Sequence, residues 1–195
     1  MFDQEIATSH VSRRFLVASA TATFVTSAVP EKAVKANEHG GAAMIQCRSE
    51  LLFILTGSVA EPFEIGKTPV GDRRIYPIEG GEFEGPRLKG KVLAGGSDAM
   101  LVRADDVIIP DVRMTLQTDD AQLIFMRYGG MRHGPPEVME RLASGKPVDP
   151  SEYYFRINPL FETGSTKYSW LNKLITVGAG HRLPTGPIYY IYAIL

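Results

Sequence analysis

Two strand-length runs, Val107 to Thr118 and Gln122 to Met131, alternate between apolar and polar residues with a period of two. Val112, Met114 and Leu116 oppose Arg113, Thr115 and Gln117, and Leu123 and Phe125 oppose Gln122 and Ile124. A period of two is the signature of a strand with unlike faces, because successive side chains leave a pleated backbone on opposite sides. Further strand-length runs rich in β-branched and aromatic residues lie at Leu51 to Val59, Arg73 to Glu79, Arg87 to Leu93, Ala99 to Arg103, Tyr153 to Glu162, Leu174 to Gly178 and Ile188 to Ile194. Turn residues separate them, and Gly80-Gly81, Gly95-Gly96-Ser97-Asp98 and Asp119-Asp120-Ala121 carry hairpin signals. One helix is predicted after Pro135-Pro136, with Val138, Met139 and Leu142 on one face and Gly145 as its cap. Many closely spaced strands, a single helix and no βαβ period point to an all-β fold. The expected architecture is a single antiparallel barrel, since closure hides sheet edges.

The first residues read as an address. Ser12-Arg13-Arg14-Phe15-Leu16 precedes an Ala/Thr-rich apolar run to Val29 that is too short for a stable membrane span, and Val34-Lys35-Ala36 offers small residues for cleavage. The expected organisation is a twin-arginine-type signal peptide over 1–36, a polar linker over 37–43 and a barrel domain over 44–195. That predicts a periplasmic or secreted protein with no stable span in its mature form. The alternative is an N-terminal amphipathic helix on a cytoplasmic domain.

Composition narrows the function classes. A formal net charge of −1 leaves no basic excess for phosphates, so nucleic acid is not an expected partner. Cys47 is the only cysteine, which excludes an intrachain disulfide and a thiolate zinc cage. The histidines at His10, His39, His133 and His181 lack metal-ligand spacing, and no glycine-rich loop precedes the helix. Neither a metal nor another cofactor is expected.

The stretch from Tyr153 to Asn172, YYFRINPLFETGSTKYSWLN, concentrates aromatic residues around Arg156, Glu162 and Asn172. Exposed aromatic surface costs about 25 cal/mol per Å². The tract is therefore expected to be buried and to line a pocket, with Tyr154, Tyr168 and the sole tryptophan, Trp170, as flat contacts and Arg113, Arg156 and Asn172 as polar ones. Glu162 is the first acid/base candidate, because aromatic surroundings raise a carboxyl pKa. Its alternative is an ion pair with Arg156 or Arg113 that braces strands. Asp98 is the second candidate, with turn capping as its alternative. His133 either shuttles a proton at a barrel mouth or sits in solvent.

Three strings, GPRLKGKVLAGGSDAMLVRADD, RMTLQTDDAQLIFMRYGGMRHGPPEVMERLASG and YYFRINPLFETGSTKYSWLN, resemble the domain of unknown function 3237 family, and the resemblance extends over nearly everything after residue 48. It implies a lipocalin-like or streptavidin-like β-barrel. It also implies a characteristic polar set at Asp98, Arg113, Thr118, Asp119, Asp120, Arg156, Glu162, Thr163, Tyr168, Trp170 and Asn172. Ala99 stands where the family usually has tryptophan, and Ala121 where it usually has a turn glycine. The first departure is expected to enlarge a pocket, the second to strain a turn.

Together these readings describe a barrel that holds a small, partly aromatic organic molecule. As an enzyme it would run cofactor-free proton transfer of the isomerase, cyclase or lyase kind. As a non-catalytic protein it would be a periplasmic small-molecule binder, or an oligomeric interaction module whose aromatic tract is the interface with a second copy. The export reading carries its own test: intact-mass analysis of the periplasmic fraction should show a mature start near Asn37. Replacing Arg13 and Arg14 with lysine should then strand the precursor in the cytoplasm.

Overall fold

Val112, Met114 and Leu116 are all buried on β7 (Asp111–Thr118), while Arg113 between them is exposed. The computed structural model describes residues 46–195. The expected leader over 1–36 and linker over 37–43 lie outside the described residues. The chain continues the pattern of β7 through β1 (Ser49–Val59), β2 (Phe63–Thr68), β3 (Gly71–Glu84), β4 (Lys89–Val92), β5 (Ser97–Val102), β6 (Ile108–Ile109), β8 (Leu123–His133), β9 (Tyr154–Ile157), β10 (Leu160–Glu162), β11 (Thr176–Leu183) and β12 (Gly186–Ile194). One α-helix, α1 (Pro136–Ala143), links β8 to β9.

All pairings are antiparallel, and β1 makes them on both edges. It pairs with β12 through Leu55↔Tyr189 and with β3 through Leu55↔Phe83. From β12 the ladder runs through β11, β9, β8, β7, β4 and β3 back to β1. The sheet is thus a closed barrel. β4 and β5 lie end to end between β3 and β7, and β2 pairs with β3 outside the ring.

One end of the barrel is filled solidly. Phe53 is fully buried there, its ring centroid 5.3 Å from Phe83 and 5.8 Å from Phe161. Such tilted and edge-on pairs add about 0.5–1.5 kcal/mol beyond area burial. A 3-10 turn at Ser169–Lys173 covers this end and buries Leu171. Tyr168, just before it, donates its hydroxyl to Asp120 Oδ1 at 3.1 Å, and Lys167 reaches Asp120 Oδ2 at 2.7 Å. Helix α1 covers the opposite end. Pro136 starts its first turn, Val138 is buried, Leu142 packs on the core, and Gly145 follows with φ 71°.

Several expected boundaries change. The expected strand over Val107 to Thr118 divides at Pro110, and the one over Tyr153 to Glu162 divides at Asn158-Pro159, because proline has no N–H for the ladder. Gly80-Gly81 is not a hairpin. β3 runs through it, and a Cβ on Gly81 would come within 2.1 Å of the Thr56 carbonyl oxygen. Nor is Gly95-Gly96 a hairpin, since the chain keeps its direction and bulges between β4 and β5, with Gly95 at φ 105°. β2 was not expected; Phe63, Glu64 and Ile65 alternate in polarity, but all three are exposed because the strand pairs with β3 outside the ring.

Asp119-Asp120-Ala121 does form the β7–β8 hairpin, and Ala121 adopts φ 62°. A left-handed alanine carries a Cβ clash of roughly 1–2 kcal/mol that glycine lacks. Ala121→Gly should raise stability by about 0.5–1 kcal/mol in urea denaturation, the glycine's greater unfolded-state entropy offsetting part of the relief.

Candidate functional site

At the helix end the inward-facing rows of five strands stop being apolar. On β8 the row Ile124, Met126 and Tyr128 continues through Gly130 to Arg132. Ile78 on β3 is succeeded toward the helix end by Tyr76 and Arg74, and β5 turns Asp98, Met100 and Val102 inward. Arg182 ends the inner row of β11, and Tyr189 opens that of β12. Between these side chains lies a cavity of about 250 Å³, roofed by Met139, Leu142 and Ala143 of α1. Phe155 forms part of its wall. Phe155 can lie there because position 180 is glycine; a Cβ on Gly180 would stand 2.4 Å from the ring.

Asp98 is the carboxylate of this cavity. Its Oδ1 accepts the backbone N–H of Asp111 at 3.0 Å. Burial pushes its pKa from the ordinary 3.8 up to about 6, against the opposing pull of that hydrogen bond and of the Arg132 and Arg73 charges. Arg132 is itself driven down by burial, with its Nε shut off from solvent and unbonded among the described residues, and its guanidinium 5.4 Å from the Phe155 ring. Arg74 Nε lies 3.1 Å from Glu64 Oε2, though off the line of a hydrogen bond, and Arg74 also pairs with Asp72 at 3.1 Å. Arg182 donates its backbone N–H to the Tyr153 hydroxyl at 2.8 Å and its guanidinium to the Leu183 carbonyl at 2.9 Å. Tyr128 and Tyr189 meet behind Asp98 with ring centroids 5.4 Å apart. Burial pushes Tyr189 up to about 12 and Tyr128 well above the ordinary phenol value, so both stay protonated donors near neutrality.

A carboxyl group that exchanges protons near neutral pH, beside a guanidinium in a largely apolar cavity, can take a proton from a bound molecule and stabilise the oxyanion left behind. Among the described residues no cluster of His, Cys, Asp and Glu could hold a metal ion.

Of the candidate catalytic and ligand-binding residues named from the sequence, only Asp98 lines this cavity. Glu162 is on the outer surface, its side chain 70% exposed and 4.0 Å from Arg127, a different partner from the arginines expected. Arg113 also points outward, to Asp111 at 2.8 Å. Alternation on β9 buries Phe155 and Ile157 and turns Tyr154 and Arg156 out; Tyr154 stacks on the exposed His133 at 5.0 Å, and Arg156 lies 5.2 Å from the Tyr154 ring. Tyr168 is buried at the far end. Trp170 lies there too, beneath Arg87 at 3.7 Å, while Asn172 exchanges hydrogen bonds of 2.8 and 2.9 Å with the Thr163 backbone. The aromatic tract therefore does not line one pocket; it wraps the barrel from one end to the other. Ala99 also corrects its expectation, since it sits between inward Asp98 and Met100 and so faces away from the cavity.

Arg132, Arg182, Tyr76 and Tyr189 were not anticipated from the sequence. The readable signal was a charge that falls on the apolar phase of an alternating strand, as Arg132 does two steps beyond Tyr128.

A family model described as Protein of unknown function (DUF3237) matches residues 47–194. The chain belongs to this family. A DUF3237-like relative, the UPF0311 protein of Rhodopseudomonas palustris strain TIE-1, is 36% identical over 134 residues, which are 69% of this chain and 88% of that protein. The crystal structure of a conserved protein of unknown function from Rhodopseudomonas palustris superposes with a TM-score of 0.75 at 32% identity, covering 77% of this chain and 99% of that one. A β-barrel like protein from Acinetobacter baumannii superposes with a TM-score of 0.70 at 41% identity, covering 80% and 100%. DUF3237 is thus a family of β-barrels, and the cavity at the helix end belongs to that barrel.

Asp98 should leave a mark on stability. Its pKa is higher folded than unfolded, so the folded state holds the extra proton and this residue's contribution falls as pH rises from about 4 to 6. A rise from 3.8 to about 6 corresponds to at most about 3 kcal/mol. Asp98→Asn keeps an acceptor for the Asp111 N–H and should flatten this trend. Urea denaturation of both forms at pH 4.5 and 7.5 measures it: the wild type should lose more stability between the two than the variant does.

Proposed function

We propose that the cavity binds a compact, partly aromatic organic molecule and that Asp98 moves a proton on it, in cofactor-free chemistry of the isomerase, cyclase or lyase kind. The observation that carries this reading is Asp98 set in a largely apolar cavity near an arginine whose Nε is unpaired among the described residues, burial pushing the carboxyl pKa up to about 6. A structural carboxylate normally gains an ion pair or several donors, which lowers its pKa. Asp98 has the opposite balance.

In outline, ionised Asp98 accepts a proton from a carbon next to a carbonyl. The oxygen of the resulting enolate draws on the Arg132 guanidinium and the protonated Tyr189. Protonated Asp98 then returns the proton elsewhere on the molecule, giving isomerisation, or a leaving group departs and the net reaction is elimination. Met100, Val102, Ile108 and Phe155 supply the apolar wall that an aromatic body needs. The leader expected at 1–36 would deliver the barrel to the periplasm.

A second reading is a non-catalytic binder, favoured by the same arginine, unpaired among the described residues, which would hold a ligand whether or not a proton moves. Exposed Phe63, Ile65 and Val70 around the β2–β3 turn are the surface that self-association would use.

Solvent deuterium exchange separates enzyme from binder. Small aromatic carbonyl compounds, phenylpyruvate and acetophenone among them, are incubated in D₂O with wild type and Asp98→Asn. The wild type should accelerate exchange next to the carbonyl with a rate that rises through pH 6, and the variant should lose roughly 10²–10⁴-fold. Exchange at the wild-type rate in the variant would remove Asp98 from the chemistry.

A further inference from the structure

The charges around the cavity do not balance. Its lining includes three arginines, Arg74, Arg132 and Arg182, and a single carboxylate, Asp98. Arg74 is matched by Glu64 and Asp72. Arg132 and Arg182 form no ion pair among the described residues, and the positive charge of Arg182 helps to lower the Arg132 pKa. A guanidinium buried beside a like charge, as Arg132 is, costs free energy unless an anion sits with it. Asp98 offsets only one of these charges: its carboxylate attracts Arg132 but forms no ion pair with it, its hydrogen bond going to the Asp111 backbone, so Arg182 has no counter-charge among the described residues. Arg132 presents a buried donor that is unpaired among the described residues.

We infer that the ligand of this cavity is a carboxylate-bearing aromatic molecule, whose anionic group is seated by Arg132 and Arg182 while its ring lies against Phe155. The inference rests on the ligand-binding reading of the same cavity and adds the chemical class. A planar carboxylate matches the donor fork of a guanidinium. The apolar wall distinguishes such a molecule from a free inorganic anion, which would gain nothing from it. Size points the same way, since about 250 Å³ lies just under the range of roughly 300–1,000 Å³ usual for drug-sized ligands and suits a single substituted ring. The seat also assigns roles within the site: the two arginines orient the molecule, and Asp98 faces the part that reacts.

Isothermal titration tests this with benzoate, phenylpyruvate, benzamide and inorganic phosphate against wild type, Arg132→Gln and Arg182→Gln. The carboxylates should bind about ten- to a hundredfold tighter than benzamide, the ratio expected of a charge-assisted hydrogen bond. Phosphate should bind more weakly than benzoate. Arg182→Gln should lose most of the preference for benzoate over benzamide with its circular dichroism spectrum unchanged, and it keeps the test decisive should Arg132→Gln fail to fold. Equal affinity for benzoate and benzamide, phosphate binding as tight as benzoate, a preference that survives in Arg182→Gln, or no binding of any probe would each overturn the seat. The proton-transfer reading fails separately. If benzoate is preferred but Asp98→Asn exchanges deuterium like the wild type, the seat stands and the chemistry falls; if acetophenone exchanges in an Asp98-dependent way without any preference for carboxylates, the reverse holds.

Discussion

The double pairing of β1 is the constraint on which the rest of the molecule depends. Because β1 bonds to β12 on one side and β3 on the other, the ring has no open edge, and every inward side chain must share one enclosed space. Phe53 and Leu55 of β1 supply the filled half of that space, and Val59, near its end, reaches the cavity. Strands in such a ring cannot shift singly, since a slip of one residue would turn a whole row inside out. The two ends can differ freely. A 3-10 turn plugs one with Leu171, and α1 roofs the other over space that none of the described side chains fills.

That unfilled space changes the value of every charge beside it. Water would screen Asp98 and Arg132 from each other and solvate both, whereas a largely apolar cavity does neither well. Asp98 responds by holding its proton to about pH 6. Arg132, which gives up a proton far less readily, remains a cation with a donor unpaired among the described residues. Stability is thereby exchanged for groups whose charges are ready to act on whatever enters, a common relation between a stable scaffold and the site it carries. The filled end bears the opposite relation. There Asp120 collects Lys167 and Tyr168 as donors, is held down to about 2, and serves as an anchor.

How far each part was legible follows from how local its cause is. Alternation at Val112, Met114 and Leu116 is a property of consecutive residues, so strands, their facing and the all-β class could be read directly. The turn at Asp119–Ala121 and the helix after Pro135-Pro136 are local for the same reason. Gly80-Gly81 and Gly95-Gly96 misled because glycine serves a tight turn and a close backbone approach equally well, and only the neighbour across the ladder tells which: the Thr56 carbonyl for Gly81, the Arg113 carbonyl for Gly96. The aromatic tract misled in another way. Its density suggested one pocket, but the division at Asn158-Pro159 and the alternation of β9 send Phe155 to the cavity, Phe161 to the far core and Tyr154 to solvent.

The sequence by itself determined the strand periodicity, the helix, the family and Asp98 as one acid/base candidate, since each is carried by neighbouring residues or by strings that recur as units. Only the tertiary structure decided that Asp98 keeps company with Arg132, Arg182 and Tyr189 rather than with Glu162 and Arg113. These residues come from β5, β8, β11 and β12, far apart along the chain, and closure of the ring is what sets their inner faces around one cavity. The physical reason is that burial and Coulomb interaction depend on distance in space, and no pattern of adjacent residues encodes which strand ends will meet.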